Sequence, residues 1–404
     1  MFAKFEKSVA SGTVKAPPSK SVCHRLIICA ALAEGESYVE NISSCRDCEA
    51  TINCLKALGA TIEPVATGLR IIGFDPKKAK AMTDLYCDES GSTLRFLVPI
   101  ALLSESETTF TGKPRLIERP HSVYEELFSK KGLQFNKADG KISVKGALSS
   151  GEFILAGNVS SQFVSGLLFA LPLLEEDSKI ILSTDIESRS YIDLTIDAMK
   201  KFGVKVVWKD ERTLYIKGAQ KYKASSLTVE GDYSGAAFID AFNFIGGEVI
   251  IDGLSEESLQ GDKVYEKLFR RLTEESPLIS IKDCPDLGPI LFALAAAKNG
   301  AVFTDTKRLK IKESDRAEAM AEELRKLGAE IEVYDNSVVV KKSKLREPTE
   351  QLNGHNDHRI VMSLSILLSI HGGEISGAEA VNKSYEEFFE NIKSLGIKVK
   401  TYET

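Results

Sequence analysis

Apolar residues along this chain fall into two helical patterns that alternate with each other. The first is amphipathic and ends in Leu-Gly or a close variant, after which apolar and polar residues alternate as in a strand. Its copies read CLKALGATIE (Cys54–Glu63), LFSKKGLQF (Leu127–Phe135), AMKKFGVKVV (Ala198–Val207), ELRKLGAEIEV (Glu323–Val333) and NIKSLGIKVK (Asn391–Lys400). A degenerate sixth, KLFRRL, lies at Lys267–Leu272. A glycine at such a point supplies the left-handed residue that ends a helix, and the alternation beyond it predicts a strand. Recurrence along the whole chain, with the first three glycines (Gly59, Gly132, Gly203) roughly seventy residues apart, marks an internal repeat.

The second pattern is apolar almost all round, in stretches such as LIICAALA, LRFLVPIALL, FVSGLLFALPLL and ILFALAAA. Helices of this kind sit inside a domain. Each copy opens on small or polar residues: Ser19-Lys20-Ser21, Ser90-Gly91-Ser92-Thr93, Ser160-Ser161-Gln162, Gly231-Asp232-Tyr233-Ser234, Pro285-Asp286 and Asn356-Asp357-His358-Arg359. Six units split three and three predict an α/β protein of two similar domains, in keeping with a length of 404 residues. The helix starts offer free N–H groups and the positive end of the helix dipole, which suit an anion; ordinary capping by Ser and Asp is the simpler use of any one of them.

Composition narrows the function. A formal net charge of −6 argues against a nucleic-acid or anionic-membrane surface without excluding a local cationic pocket. The longest apolar runs fall short of the ~20 residues of a membrane helix, and MFAKFEKSVASG carries charges where a signal peptide needs its apolar stretch. The expectation is a cytoplasmic protein. Seven cysteines, six of them between Cys23 and Cys87, show no secreted-scaffold spacing. Cys45 and Cys48 have CxxC spacing, but without a second pair they read as plain thiols near a helix, and no metal is expected.

Cations recur beside helix starts and Pro/Gly turns: Lys20 and Arg25 in APPSKSVCHRLI, Arg115 and Arg119 in GKPRLIERP, Lys312 and Arg316 in KIKESDR, His358 and Arg359 in HNDHR, and Lys383 in VNKSYEEFF. Lys and Arg at a helix N-terminus oppose its dipole unless an anion lies between them. Guanidinium forks match carboxylate and phosphate oxygens, whereas Lys supplies a point charge. In KIKESDR, Glu313 and Asp315 could instead neutralise their neighbours on a solvated face. No GxxxxGK[ST], post-strand GxGxxG or Gly-x-Ser-x-Gly occurs, so nucleotide use and serine hydrolysis lack support. Asp286 and Glu313 are the acid/base candidates, and each could equally be a cap or an ion-pair partner.

Taken together and in order, PPSKSVCHR, ESGSTLRF, GKPRLIERP, NVSSQF, SRSYID, EGDYSGAA, PDLG, KIKESDR, NDHR and the late Lys383 resemble the 5-enolpyruvylshikimate-3-phosphate synthase family of enolpyruvyl transferases, over essentially the whole chain. The resemblance implies two domains, each of three βαβαββ units with buried parallel helices, and a cleft between them. It places residues 1–18 with 230–404 in one, and 19–229 in the other. It implies transfer of the enolpyruvyl group of phosphoenolpyruvate to the 5-hydroxyl of shikimate 3-phosphate through a tetrahedral intermediate, by a monomer without cofactor.

Residue by residue, the resemblance assigns shikimate 3-phosphate to Lys20, Ser21, Arg25, Ser160, Ser161, Gln162, Ser188, Asp286 and Lys312. It assigns phosphoenolpyruvate to Lys20, Gly91, Arg115, Gln162, Arg316, Arg359 and Lys383. Asp286, Glu313 and Lys20 are the catalytic candidates, with Tyr191 near the shikimate ring and His358 near the reacting atoms. The chain departs from the usual pattern at Pro18 (a flexible Gly), His24 (Asn), Phe96 (Pro) and Arg308 (Asn in some members). Two alternatives are a UDP-N-acetylglucosamine enolpyruvyl transferase, whose N-terminal Lys-Asn motif and loop cysteine have no match here, and a non-catalytic anion-binding relative.

Overall fold

The structure, a computed structural model, describes residues 1–78 and 83–403. The chain divides into two compact units, Lys20–Glu230 and Met1–Ser19 with Gly231–Thr404.

Within Lys20–Glu230, one repeat runs as strand Thr83–Tyr86, buried helix Gly91–Ala101, strand Thr108–Thr111, amphipathic helix Ser122–Lys130 and a hairpin of Gln134–Ala138 and Lys141–Lys145. The first two strands pair in parallel, Leu85 opposite Phe110, and the hairpin adds antiparallel with Ile142 opposite Phe110. The same order of one parallel and two antiparallel pairings builds the sheet of Gly151–Leu155, Ser178–Leu182, Thr213–Ile216 and Val206–Trp208. In a third sheet, Ser226–Thr228 near the end of the unit pairs in parallel with Glu36–Glu40 near its start. The predicted βαβαββ repeat is therefore present. The other unit repeats it in the sheet of Leu278–Ser280, Gly300–Thr304, Ser337–Lys341 and Ile331–Val333. There the N-terminal strand Phe2–Phe5 fills a place between Gly373–Ser376 and Val399–Tyr402.

The helix ends follow the sequence signal. Gly59, Gly132, Gly203, Gly328 and Gly396 all have φ between 70° and 124°, where a β-carbon is penalised. Each unit has its own core of buried apolar side chains, each contributing about 1.5–3 kcal/mol on leaving water. Helix Ser161–Ala170 lies close enough to helix Gly91–Ala101 that a β-carbon on Gly166 would meet Arg95 O at 2.2 Å. Two sequence expectations shift. Pro285–Leu287 forms a 3-10 turn ahead of helix Gly288–Ala297, and KLFRRL belongs to helix Tyr265–Arg271, without the terminal glycine. Among the described residues no helix is long and apolar enough to cross a membrane.

Candidate active site

In the unit Met1–Ser19 with Gly231–Thr404, charge concentrates on Arg316. Asp315 caps the helix Arg316–Lys326 by accepting from Glu318 N, so Arg316 opens that helix. Its side chain is 1% exposed. Nε donates to Asp357 Oδ2 at 2.9 Å, Nη1 to Asp286 Oδ1 at 2.7 Å and Nη2 to Glu313 Oε2 at 2.6 Å. A solvated face is thereby excluded for this motif. Lys312 and Arg316 do not share one helix, because Lys312 lies before it, just past the 3-10 turn Lys307–Ile311.

Asp286 is the hub. It pairs with Arg316, with Lys312 Nζ at 3.1 Å and with Arg359 Nη2 at 3.1 Å. Burial alone would push its carboxyl up, yet Arg359, Lys312 and Arg316 together hold it well below the ordinary aspartate range. Burial lowers Lys312, against the opposing pull of Asp286. Arg359 begins the last buried helix, His358–His371. Asp357 caps that helix by accepting from Arg359 N at 3.0 Å. One carboxylate thus serves both as cap and as partner of Arg316. Lys383 donates to Asn356 O in the loop just ahead of that helix. His358 is buried at the helix start, and Arg308 is buried within electrostatic reach of Lys312.

In the unit Lys20–Glu230, Lys20 opens the first buried helix and its Nζ lies 2.9 Å from Asp47 Oδ2. Arg25 is buried: Nε donates to Thr195 Oγ1 at 2.8 Å, Nη1 to Ser21 O and Nη2 to Tyr191 O. Its guanidinium stacks over Phe96 at 5.2 Å and Tyr191 at 6.0 Å. Burial lowers it to about 10, which leaves it cationic at neutral pH. His24 and Phe96, two of the departures from the family pattern, meet edge to face at 6.4 Å. Ser160 caps the helix Ser161–Ala170 by accepting from Gln162 N, and Ser188, buried with φ 57°, precedes helix Arg189–Lys201.

Gly91 marks a second convergence. Gln162 Oε1 accepts from Arg95 Nη1 at 2.7 Å, and Gln162 Nε2 donates to Ser92 Oγ at 2.9 Å. A β-carbon on Gly91 would lie 2.9 Å from Arg119 Nη1, 3.4 Å from Gln162 Oε1 and 3.5 Å from Arg95 Nη1. The start of helix Gly91–Ala101 therefore faces two guanidinium groups, a ready anion site.

Arg115 does not join this group. It is exposed on the short helix Pro114–Glu118, whereas Arg119, just past that helix, turns inward and is 6% exposed. Both arginines sit beside a proline in the sequence, Pro114 and Pro120, so only the fold separates them. Asp47, Arg95, Ser234 and Asp357 were missed as site residues. Asp357 carried a signal in Asn-Asp-His-Arg as a cap, but the partners of the other three are set by distant segments. The seven cysteines are free thiols, all buried.

The comparisons with known proteins agree over nearly the whole length. Residues 6–392 match the EPSP synthase (3-phosphoshikimate 1-carboxyvinyltransferase) family. The 3-phosphoshikimate 1-carboxyvinyltransferase of Clostridium botulinum (strain Alaska E43 / Type E3) is 42% identical, covering 95% of each chain. That of Clostridium acetobutylicum is 41% identical, covering 97% of each. A solved EPSP synthase from Acinetobacter baumannii superposes with TM-score 0.81 at 22% identity, over 100% of this chain and 99% of its own, which carries the fold. A family match over residues 6–392 and relatives at this identity lead to one conclusion: the chain belongs to the EPSP synthase family.

Proposed function

We propose that this chain transfers the enolpyruvyl group of phosphoenolpyruvate to the 5-hydroxyl of shikimate 3-phosphate and releases phosphate. The observation that carries the residue roles is Asp286 held among Lys312, Arg316 and Arg359. A carboxylate so placed is both the anchor of a cationic site and a proton acceptor whose basicity depends on what else those cations hold.

In the unit Lys20–Glu230, Ser21, Arg25, Ser160, Ser161, Gln162 and Ser188 are assigned to shikimate 3-phosphate. Lys20, Gly91 and Gln162 bear on phosphoenolpyruvate, with Arg119 taking the role first given to Arg115. In the other unit, Arg316, Arg359 and Lys383 bear on phosphoenolpyruvate, and Asp286 and Lys312 on the acceptor. The carboxylate and phosphate of phosphoenolpyruvate compete with Asp286 for the donors of Arg316 and Arg359. Each donor they take raises the proton affinity of Asp286, so the base is strengthened when the donor substrate is in place. Asp286 then accepts the 5-hydroxyl proton as that oxygen attacks C2. Lys20 or Glu313 protonates the methylene carbon, giving a tetrahedral intermediate. Loss of phosphate and return of a methyl proton complete the transfer, with preset cations carrying the developing charge. The enzyme works as a cytoplasmic monomer.

Phosphate release from phosphoenolpyruvate, with shikimate 3-phosphate or UDP-N-acetylglucosamine as acceptor, tests this reading. Release should require shikimate 3-phosphate. Release with the nucleotide sugar would favour the sister activity, and none with either would favour a non-catalytic relative.

A further inference from the structure

A buried carboxylate outside the assigned site reaches it through one hydroxyl. Asp262 lies in the 3-10 turn Gly261–Val264 and is 2% exposed. The turn is tied to the start of helix Tyr233–Phe244 by the preceding residue. Gln260 Oε1 accepts from Tyr233 N and Ser19 Oγ, each at 3.1 Å, and Gln260 Nε2 donates to Gly231 O at 2.8 Å. That anchoring sets Asp262 against Ser234, whose side chain it hydrogen-bonds. Ser234 Oγ also accepts from Arg359 Nη1 at 2.6 Å, while Arg359 Nη2 reaches Asp286 Oδ2 at 3.1 Å.

The donor count decides what this chain of contacts does. A serine hydroxyl has one hydrogen and two lone pairs, and an ionised carboxylate only accepts. Burial, and then the charge of Asp286, push the Asp262 carboxyl up to about 6, against the pull of Arg359 and the Ser234 hydrogen bond. At neutral pH it is therefore mostly ionised, and the Ser234 hydrogen must point at it. The lone pairs of Ser234 are then turned toward Arg359, so one Nη is fixed from behind while the other meets Asp286. Without Asp262 the hydroxyl can rotate and present its hydrogen to the guanidinium, a donor facing a donor.

We propose that Asp262 is a positioning residue for Arg359, acting through the hydroxyl of Ser234 to hold the guanidinium in the orientation that receives phosphoenolpyruvate. This rests on the assignment of Arg359 to phosphoenolpyruvate. Asp262 touches no substrate itself, and its effect falls on donor binding more than on the chemical step.

The test compares Asp262→Ala, Asp262→Asn, Ser234→Ala and the Asp262→Ala/Ser234→Ala double variant. Asp262→Ala and Ser234→Ala should each raise KM for phosphoenolpyruvate roughly tenfold, the size expected for losing one hydrogen bond to a charged group. KM for shikimate 3-phosphate should stay within about twofold of wild type by the same scale. The double variant should be no worse than either single one, because both break the same relay. Asp262→Asn keeps an oxygen acceptor for the hydroxyl and should recover most of the loss, which a merely structural carboxylate would not show. An unchanged KM in Asp262→Ala, additive losses in the double variant, or an Asn variant as impaired as Ala would each overturn the proposal. Calorimetric titration with phosphoenolpyruvate, in the presence of shikimate 3-phosphate, reads the same tenfold loss without turnover. Inactive wild-type protein would count against the proposed reaction, whereas equal affinity in wild type and Asp262→Ala would count against this inference.

Discussion

Replacing Asp286 by Asn separates its two duties. The amide keeps the shape and an oxygen acceptor but loses the charge and cannot take a proton. Removing one partner of a buried ion pair costs about 3–5 kcal/mol. Arg316 keeps Asp357 at 2.9 Å and Glu313 at 2.6 Å, and Asp286 is 18% exposed, so we expect less than that range, about 2–3 kcal/mol. For a unit of this size each kcal/mol lowers Tm by roughly 2–4 °C, a drop of roughly 5–10 °C. The protein stays folded at assay temperature. Turnover is another matter, since a positioned general base supplies about 10²–10⁴-fold, and we expect kcat to fall about 10³-fold. The binding effect has the opposite sign. With the competing carboxylate gone, Arg316 and Arg359 are more available to phosphoenolpyruvate, so its KM should stay level or fall. Steady-state kinetics with both substrates varied, alongside thermal unfolding, measure all three quantities. A kcat within tenfold of wild type would remove Asp286 as the base, and a raised KM at unchanged kcat would make it a binding residue only.

Three further outcomes follow from the same geometry. Arg119→Ala should raise KM for phosphoenolpyruvate at least tenfold, and Arg115→Ala should leave it within about twofold, because Arg119 approaches Gly91 whereas Arg115 is exposed; equal effects would refute the reassignment. Asp47→Ala releases Lys20 from its 2.9 Å pair, in which the side chains are 15% and 11% exposed. We expect kcat to fall by roughly tenfold, with a stability loss of about 2–3 kcal/mol for breaking a largely buried ion pair; an unchanged kcat would show that Lys20 needs no such partner. Stability should fall on mild acidification. His24 is held well below its ordinary range by burial, then by Lys20 and Arg25, and burial, with Arg95, lowers His121 to about 3. Between pH 6.5 and pH 3 the unfolded imidazoles bind protons that the folded ones refuse, so stability drops as pH falls. At pH 5 the loss from His121 is about 2 kcal/mol, and His24 acts in the same direction. Urea melts of wild type and His121→Gln at pH 7 and pH 5 should show about 2 kcal/mol less loss in the variant, and identical pH slopes would contradict the assignment.

The parts of the fold legible in the sequence were those fixed by neighbours in the chain. Helix ends at Gly59, Gly203 and Gly328 need only a residue tolerant of positive φ, and caps such as Ser90 and Asp232 reach backbone two or three residues on. The repeat was readable because the same local grammar recurs six times. The site was legible as an inventory of cations, not as a circuit. Lys20 and Asp47 are 27 residues apart, and Arg359 and Ser234 are 125 apart. No periodicity links such pairs, because the sheet order decides which helix starts meet. Arg115 and Arg119 show the same limit at short range, where the facing of a five-residue helix, not its motif, selects the buried arginine.

The most direct test of the proposed chemistry is to run the reaction in D2O with phosphoenolpyruvate and shikimate 3-phosphate and to read the product by proton NMR. Addition followed by elimination passes through a methyl group that takes a solvent-derived deuteron and then returns a proton, so the vinyl protons of the enol-ether product should be partly replaced by deuterium. A product whose vinyl group carries no deuterium would contradict protonation of the methylene carbon, and with it the roles given to Lys20 and Glu313.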